Sequence, residues 1–123
     1  AVVPRPTVQV REARPDERDA ALHVLDAAML ETDRVDEGTL LVAVDRGSVV
    51  GALLLVGDRI DAVAVRRRRQ GKGVGSALVA AADERRERLV AAFDAGVRPF
   101  YESLGFDVRE TDEPGRYRGV LEG

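Results

Sequence analysis

A glycine-rich segment in the middle of the chain has the residue types and the spacing of an anion-binding loop. The segment 66–76 reads RRRRQGKGVGS, so that Gly71, Gly73 and Gly75 alternate with other residues. Glycines leave backbone N–H groups uncovered by side chains, and a helix N-terminus carries about half a positive charge. Because a helical pattern begins at Val74, this segment predicts a site for a phosphate or a diphosphate.

Two familiar phosphate-binding motifs do not match this segment. A P-loop needs a glycine five residues before the glycine of its Gly-Lys pair and a Ser or Thr after the pair. Those positions hold Arg66 and Gly73. A dinucleotide-binding fingerprint needs a third glycine, where this chain has Ser76. Both interpretations are therefore rejected.

A third pattern fits, and a second motif accompanies it. The segment Gln70–Gly75 follows Q/R-x-x-G-x-G and resembles the acyl-CoA pyrophosphate loop of the GNAT superfamily of N-acyltransferases. The segment Pro99–Phe106 reads PFYESLGF and resembles the F-Y-x-x-x-G-F segment that follows the loop in the same family. The two motifs occur in the family's order and spacing, and the resemblance covers the chain from residue 39 onward.

This resemblance implies an enzyme, an N-acetyltransferase that moves an acetyl group from acetyl-CoA to a primary amine. Direct attack in a ternary complex is expected, since the chain has no cysteine to carry an acyl group. The loop would bind the pyrophosphate, Lys72 would add a point charge, and pantetheine would pair with a free strand edge as an added strand does. The implied cofactor-binding residues are Val63, Ala64, Val65, Gln70, Gly71, Lys72, Gly73, Val74, Gly75 and Ser76.

Two further positions take their roles from the resemblance. Tyr101 would place its hydroxyl at the CoA sulfur and protonate the leaving thiolate, and a phenol with a pKa of about 10 is suited to that transfer. Many family members carry an Asn that contacts CoA seven residues before this tyrosine. Here that position is Asp94, so the contact of an acid with CoA is in question.

The amine must lose its proton before it attacks. An alkylamine with a pKa near 10.4 is neutral about once in 2,500 molecules at pH 7, a deficit of roughly 4.6 kcal/mol that a base or desolvation must offset. Asp61 is the candidate base, because strand alternation puts it on the same face as Val63 and Val65. A surface or ion-paired aspartate is the competing interpretation.

Other features also have two interpretations. The four arginines Arg66–Arg69 either serve the phosphates of CoA or face water, and Tyr101 is otherwise an ordinary core aromatic. Acidic residues in two loops either attract an ammonium substrate or keep the protein soluble: Glu31, Asp33, Asp36, Glu37, Asp112 and Glu113. The alternative function is a CoA-binding sensor or interaction module without turnover, and a weaker one is nucleic-acid binding through the arginine run.

Composition limits the remaining possibilities. At 123 residues the chain forms a single domain, residues 1–123, and its net charge of −3 argues against a nucleic-acid partner. With no cysteine and with His23 as the only histidine, no metal site is expected, and His23 falls on the outer face of its helix. No apolar run has the length of a membrane span, so no membrane partner and a cytoplasmic location are expected. The acceptor is a small-molecule or protein amine, and a homodimer paired through sheet edges stays open.

The elements that must position these residues follow from periodicity and turn signals. A helix is expected over Glu17–Leu30, with a buried stripe at Ala21, Leu25, Ala28 and Met29, and another over Val74–Arg88. The expected strands are Val8–Glu12, Thr39–Asp45, Val49–Val56, Arg59–Val65, Leu89–Phe93, Phe106–Arg109 and Arg116–Leu121, with a short helix after Pro99. The resemblance implies an α+β fold of the α/β/α type. Its twisted sheet has six to seven mostly antiparallel strands, a central parallel βαβ crossover and flanking helices.

Overall fold

The computed structural model describes residues 8–28, 30 and 32–122. Its strands are β1 (Val8–Glu12), β2 (Thr39–Asp45), β3 (Ser48–Val56), β4 (Arg59–Val65), β5 (Arg88–Asp94), β6 (Asp107–Glu110) and β7 (Arg116–Glu122). Its helices are α1 (Arg18–Ala27), α2 (Val74–Arg85) and α3 (Arg98–Ser103). Short 3-10 turns occupy Pro15–Glu17, Val35–Glu37, Arg67–Arg69 and Ala95–Val97. No helix of the described ranges is long and apolar enough to cross a membrane.

The seven strands form one mixed sheet in the order β1-β2-β3-β4-β5-β7-β6. The β4–β5 pair is parallel, and every other neighbouring pair is antiparallel. Helix α2 connects the two parallel strands, which is the βαβ crossover expected from the sequence. Strand β7 lies between β5 and β6, so the C-terminal hairpin joins the sheet through its second strand.

The helices cover both faces of the sheet. On one face α1 buries Ala21, Val24 and Leu25 against side chains of β2, β3 and β4. On the other face α2 buries Val74 and Leu78, among others, in a larger cluster that also contains Tyr101 of α3 and Phe93 of β5. Two apolar layers on opposite sides of a mixed sheet confirm the α/β/α expectation.

Two helices end earlier than their patterns suggested. Helix α1 stops at Ala27 rather than Leu30, so Ala28 is exposed rather than part of the buried stripe, and Met29 lies outside the described residues. Helix α2 stops at Arg85 rather than Arg88, because Arg86 is extended and its Nε donates to the carbonyl of Gly57 at 2.7 Å. Arg88 is then free to begin β5.

Candidate functional site

An opening between β4 and β5 is the central feature of the site. The two parallel strands pair only at Arg59 with Val90 and at Ile60 with Ala91. Beyond that point β4 pairs with β3 alone and β5 pairs with β7 alone. The backbone edge of Val63–Val65 that faces β5 therefore has no strand partner. An extended ligand can pair with this edge as an added strand.

The glycine loop lies at the end of this open edge and leads directly into α2. Gly71 and Gly73 have φ values of 77° and 84°, which favour glycine strongly, and a Cβ at either position would meet no atom within 4 Å. Gly73 is the N-cap of α2 and carries no side-chain cap, while Gly75 is in the helix. The first intrahelical bond of α2 is donated by Ala77 to the carbonyl of Gly73.

This arrangement leaves donors available at the start of α2. Among the described residues, the N–H groups of Val74, Gly75 and Ser76 donate no hydrogen bond to backbone or side-chain acceptors. Helix N-termini normally satisfy such groups with caps, water or ligands. The open space beside Gly71 and Gly73 allows an anion to approach these donors, and the helix dipole favours its charge.

The loop is tied to the sheet at several points. Gln70 donates from Nε2 to the carbonyl of Val65 at 3.1 Å, which joins the loop to the last residue of β4. Arg66 donates from Nε to the carbonyl of Val49 at 2.8 Å, and Arg69 forms an ion pair with Asp45. These bonds fix the direction in which the loop leaves the strand. Lys72 is exposed beside the two left-handed glycines.

Close packing brings the start of α2 to the same place. A Cβ on Gly51 of β3 would lie 3.1 Å from Cγ1 of Val74, so the glycine allows the helix to approach the sheet. A Cβ on Gly75 would lie 3.4 Å from ring atoms of Phe100 and 3.7 Å from Cγ2 of Val65. The glycine loop, the end of β4 and α3 therefore meet at one point.

Tyr101 lies in an aromatic cluster next to this point. Its ring stacks on Phe93 with a centroid separation of 4.3 Å and meets Phe100 and Phe106 edge-on, each at 5.1 Å. The residue is only 5% exposed, and burial raises the pKa of its hydroxyl to about 12. The phenol is a weaker acid than the sequence-based estimate assumed, because the apolar surroundings disfavour its anion.

Asp61 lies at an irregularity in β4. The pairing of β3 with β4 passes from Leu54–Ala62 to Leu55–Ile60, so Asp61 is the extra residue of a bulge. Ile60 packs on the α2 face with Val63 and Val65, whereas Ala62 packs on the α1 face. The alternation used to place Asp61 with Val63 is therefore interrupted at Asp61 itself.

The surroundings of Asp61 are basic. Its Oδ1 accepts a hydrogen bond from Arg59 at 2.8 Å, and 16% of its side chain is exposed. The pKa of Arg34 is raised, first by its hydrogen bond to Glu37 and to a smaller degree by the charge of Asp61. Asp61 thus lies in the strand that borders the opening, and its one described hydrogen-bond partner is Arg59.

Asp94 ends β5, and its charge has a partner that the sequence did not reveal. The β5–β7 register places Arg116 opposite Asp94, and the guanidinium donates to the carboxylate at 2.7 Å. The Asp94 side chain is 76% exposed, so the pair is largely solvated. The acid that replaces the expected Asn is therefore locally balanced by a cation. Only the strand register, not sequence separation, could have identified Arg116.

The acidic loops fall into two groups, and Glu31 lies outside the described residues. Asp36 and Glu37 form ion pairs with Arg18 and Arg34. Asp112 and Glu113 border a cavity of about 320 Å³ together with Tyr117. A larger cavity of about 410 Å³ lies beside the start of β2, at the opposite end of that strand from the glycine loop. In the described ranges no group of His, Cys, Asp and Glu is arranged to hold a metal ion.

Comparisons with known proteins agree with the fold and identify a family. Residues 36–108 match the family profile described as an acetyltransferase (GNAT) domain. An IAA acetyltransferase from Bacillus cereus is 20% identical, with 95% of this chain and 100% of that chain covered and a TM-score of 0.77. A GNAT family acetyltransferase from Elizabethkingia anophelis with acetyl-CoA bound is 16% identical, with coverages of 97% and 100% and a TM-score of 0.73.

YjaB from Escherichia coli is 24% identical, with 94% of this chain and 97% of that chain covered and a TM-score of 0.66. At these identities the structural likenesses describe the fold. The family profile shows which family the chain belongs to, because it matches more than half of the chain. A search of curated proteins finds no match.

Proposed function

Since this chain belongs to the GNAT acetyltransferase family, we propose that it transfers the acetyl group of acetyl-CoA to a primary amine by direct attack in a ternary complex. The observation that carries the proposal is the opening between β4 and β5, which ends at the unsatisfied N–H groups of α2. The open edge of β4 can then pair with the pantetheine of one acetyl-CoA molecule, while the start of α2 binds the pyrophosphate of the same molecule.

Several features support acetyl-CoA as the ligand of the open β4 edge and the start of α2. The N–H groups of Val74, Gly75 and Ser76 would bind the pyrophosphate, with Gly71 and Gly73 keeping the approach open. Gln70 supports the junction by its bond to the carbonyl of Val65. A backbone N–H near Val65 would polarise the thioester carbonyl and stabilise the oxyanion of the tetrahedral intermediate.

In the proposed reaction the amine nitrogen bonds to the thioester carbon, and the carbon–sulfur bond then breaks. Before the attack the ammonium group gives one proton to Asp61 through a water molecule. As the carbon–sulfur bond breaks, the nitrogen releases its second proton to solvent, and the thiolate receives a proton from Tyr101. The products are an N-acetylated amine and the free thiol of CoA, and exchange with water restores both residues. The half-buried position of Asp61 in the β4 bulge supports its role as the base. To accept the proton, the carboxylate must either break its hydrogen bond with Arg59 or use its other oxygen.

The acid role of Tyr101 has a cost that can be estimated. Its pKa of about 12 lies about 2 above that of an alkyl thiol in water, which is near 10, so proton transfer to a solvated thiolate is unfavourable by roughly 2.7 kcal/mol. A thiolate formed in the same apolar surroundings is also desolvated, and its own pKa rises toward that of the phenol. The proposal therefore needs the sulfur to lie inside the aromatic cluster rather than at its rim.

The test is release of CoA thiol from acetyl-CoA with a panel of small amines and amine-bearing peptides. Y101F should lower kcat by about 10²–10⁴-fold while acetyl-CoA affinity changes little. D61N should lower kcat by a similar factor at pH 7 and recover at high pH, because the amine then deprotonates in solution. D58N, in the turn before β4, is the matched control and should behave as the wild type.

Binding of acetyl-CoA without thiol release from any acceptor would favour the sensor or interaction module over the enzyme. Equal kcat for Y101F and the wild type would remove the acid role, and a D61N profile parallel to that of the wild type would remove the base role.

A further inference from the structure

The four arginines before the glycine loop divide into two pairs with different surroundings. The outer pair, Arg66 and Arg69, is used internally. Arg66 donates from its backbone N–H to the carbonyl of Val50 and from Nε to the carbonyl of Val49, both at 2.8 Å. Arg69 is ion-paired with Asp45 at the end of β2. These contacts attach the turn to the β2–β3 hairpin.

The inner pair, Arg67 and Arg68, has no such use. Both side chains are exposed, and neither forms an ion pair or a side-chain hydrogen bond with another described residue. They are consecutive residues of one 3-10 turn, whose bond from Arg69 N–H to the Arg66 carbonyl is 2.8 Å long. The contacts of Arg66 and Arg69 thus fix a turn that carries the two guanidinium groups of Arg67 and Arg68, neither of which is paired with a described acid.

This turn is close to the proposed pyrophosphate site. Two residues separate Arg68 from Gly71, so their Cα atoms lie at most about 11 Å apart, and an arginine side chain can span much of that distance. CoA carries a third phosphate, a monoester on the 3′-oxygen of the same ribose whose 5′-oxygen carries the pyrophosphate. A phosphate monoester has a charge between about −1.5 and −2 at neutral pH.

We propose that Arg67 and Arg68 bind the 3′-phosphate of CoA and make the protein discriminate CoA from its 3′-dephospho form. The inference rests on the proposed function, since the pyrophosphate must first lie on the amides of α2. Guanidinium groups suit a phosphate because their forked donors reach two oxygens at once. The net charge of −3 makes this local pair a poor general nucleic-acid surface, so a small phosphorylated ligand is the better match.

The experiment compares the affinities of acetyl-CoA and 3′-dephospho-acetyl-CoA by calorimetry at low salt. The wild type should bind acetyl-CoA about tenfold more tightly, and the preference should shrink in 0.5 M salt because exposed charge pairs are screened. The R67Q/R68Q variant should bind the two ligands with nearly equal affinity. A control variant with the same net charge, R88Q/R109Q, changes exposed arginines of β5 and β6 and should keep the tenfold preference.

The outcomes separate this inference from the proposed function. Equal wild-type affinities for both ligands would overturn the inference while leaving acetyl-CoA binding intact. A preference that survives in R67Q/R68Q would also overturn it, since another group would then read the 3′-phosphate. Failure of the folded wild type to bind either ligand would overturn the proposed function itself. Salt-sensitive retention of the wild type on DNA, without a preference between the two ligands, would assign the arginine pair to nucleic acid instead.

Discussion

Replacement of Gly73 by alanine separates the cost of backbone strain from the loss of anion binding. Gly73 has a φ of 84°, and a Cβ at this position would meet no atom within 4 Å. The substitution therefore creates no clash in the free protein. A left-handed conformation costs an L-residue about 1–2 kcal/mol, partly offset by the lower entropy of the unfolded chain, so we expect a net loss of about 1 kcal/mol.

The expected effect on ligand binding is larger. The added methyl group would occupy the space through which a phosphate approaches the first N–H groups of α2. Hydrogen bonds to a charged group contribute about 1.5–3 kcal/mol each, so loss of one would weaken acetyl-CoA binding about 10- to 100-fold. The melting temperature should fall by only about 4 °C, since this is the usual response of a domain of this size to 1 kcal/mol.

A matched control is available in the same chain. Gly57 also has a positive φ, 61°, and open space around its Cβ position, but it lies in the turn before β4 rather than in the loop after it. G57A should therefore lower the melting temperature about as much as G73A and leave acetyl-CoA affinity unchanged. Calorimetric titration and thermal unfolding of the two variants measure both quantities. Equal acetyl-CoA affinity for G73A, G57A and the wild type would refute the reasoning.

Three further predictions concern stability. Burial raises the pKa of Tyr101 to about 12, so the stability that depends on the neutral phenol is complete below pH 10 and is lost toward pH 12. The free energy of unfolding, measured with urea, should fall by up to about 2.7 kcal/mol between pH 10 and pH 12, and this fall should be absent in Y101F. The hydrogen bond from Arg11 lowers the pKa of Glu17 to about 2, so E17Q should lower the melting temperature at pH 7 more than at pH 2. In G38A the new Cβ would lie 2.5 Å from a backbone carbonyl of β3, and urea unfolding should reveal a cost of about 1–3 kcal/mol, whereas G96A should be nearly neutral.

Each of these has a contrary result. A Y101F variant with the same alkaline loss as the wild type would assign that loss to another group. An E17Q effect of equal size at both pH values would mean that the ion pair does not hold the carboxylate charged. A neutral G38A would mean that the backbone at that position moves aside at little cost.

Local sequence signals were sufficient for most of the elements. Runs rich in β-branched and other apolar residues located β2, β3 and β4, and the Arg46-Gly47 turn between the first two has φ values of 51° and 81°, as a tight hairpin requires. The two motifs placed the glycine loop at the start of α2 and Tyr101 in α3. These features depend on neighbours in sequence, which is why periodicity and turn chemistry predict them.

Features that depend on distant partners were not predictable in the same way. The bulge at Asp61 exists only in relation to the register of β3, and it interrupts the strand alternation from which the face of this residue was predicted. The partner of Asp94 is Arg116, which becomes its neighbour through β5–β7 pairing. The end of α2 at Arg85 accompanies the hydrogen bond from the extended Arg86 to the carbonyl of Gly57, which lies 29 residues earlier in the chain. Tertiary pairing decided each of these cases.

Amide chemical shifts during an acetyl-CoA titration test the central claim most directly. If the N–H groups at the start of α2 bind the pyrophosphate, the amide protons of Val74, Gly75 and Ser76 should move downfield on saturation. The amides of Val63–Val65 should change with them as the open edge of β4 gains a partner. Saturable binding that leaves the three α2 amides unshifted and perturbs a different surface would contradict the account.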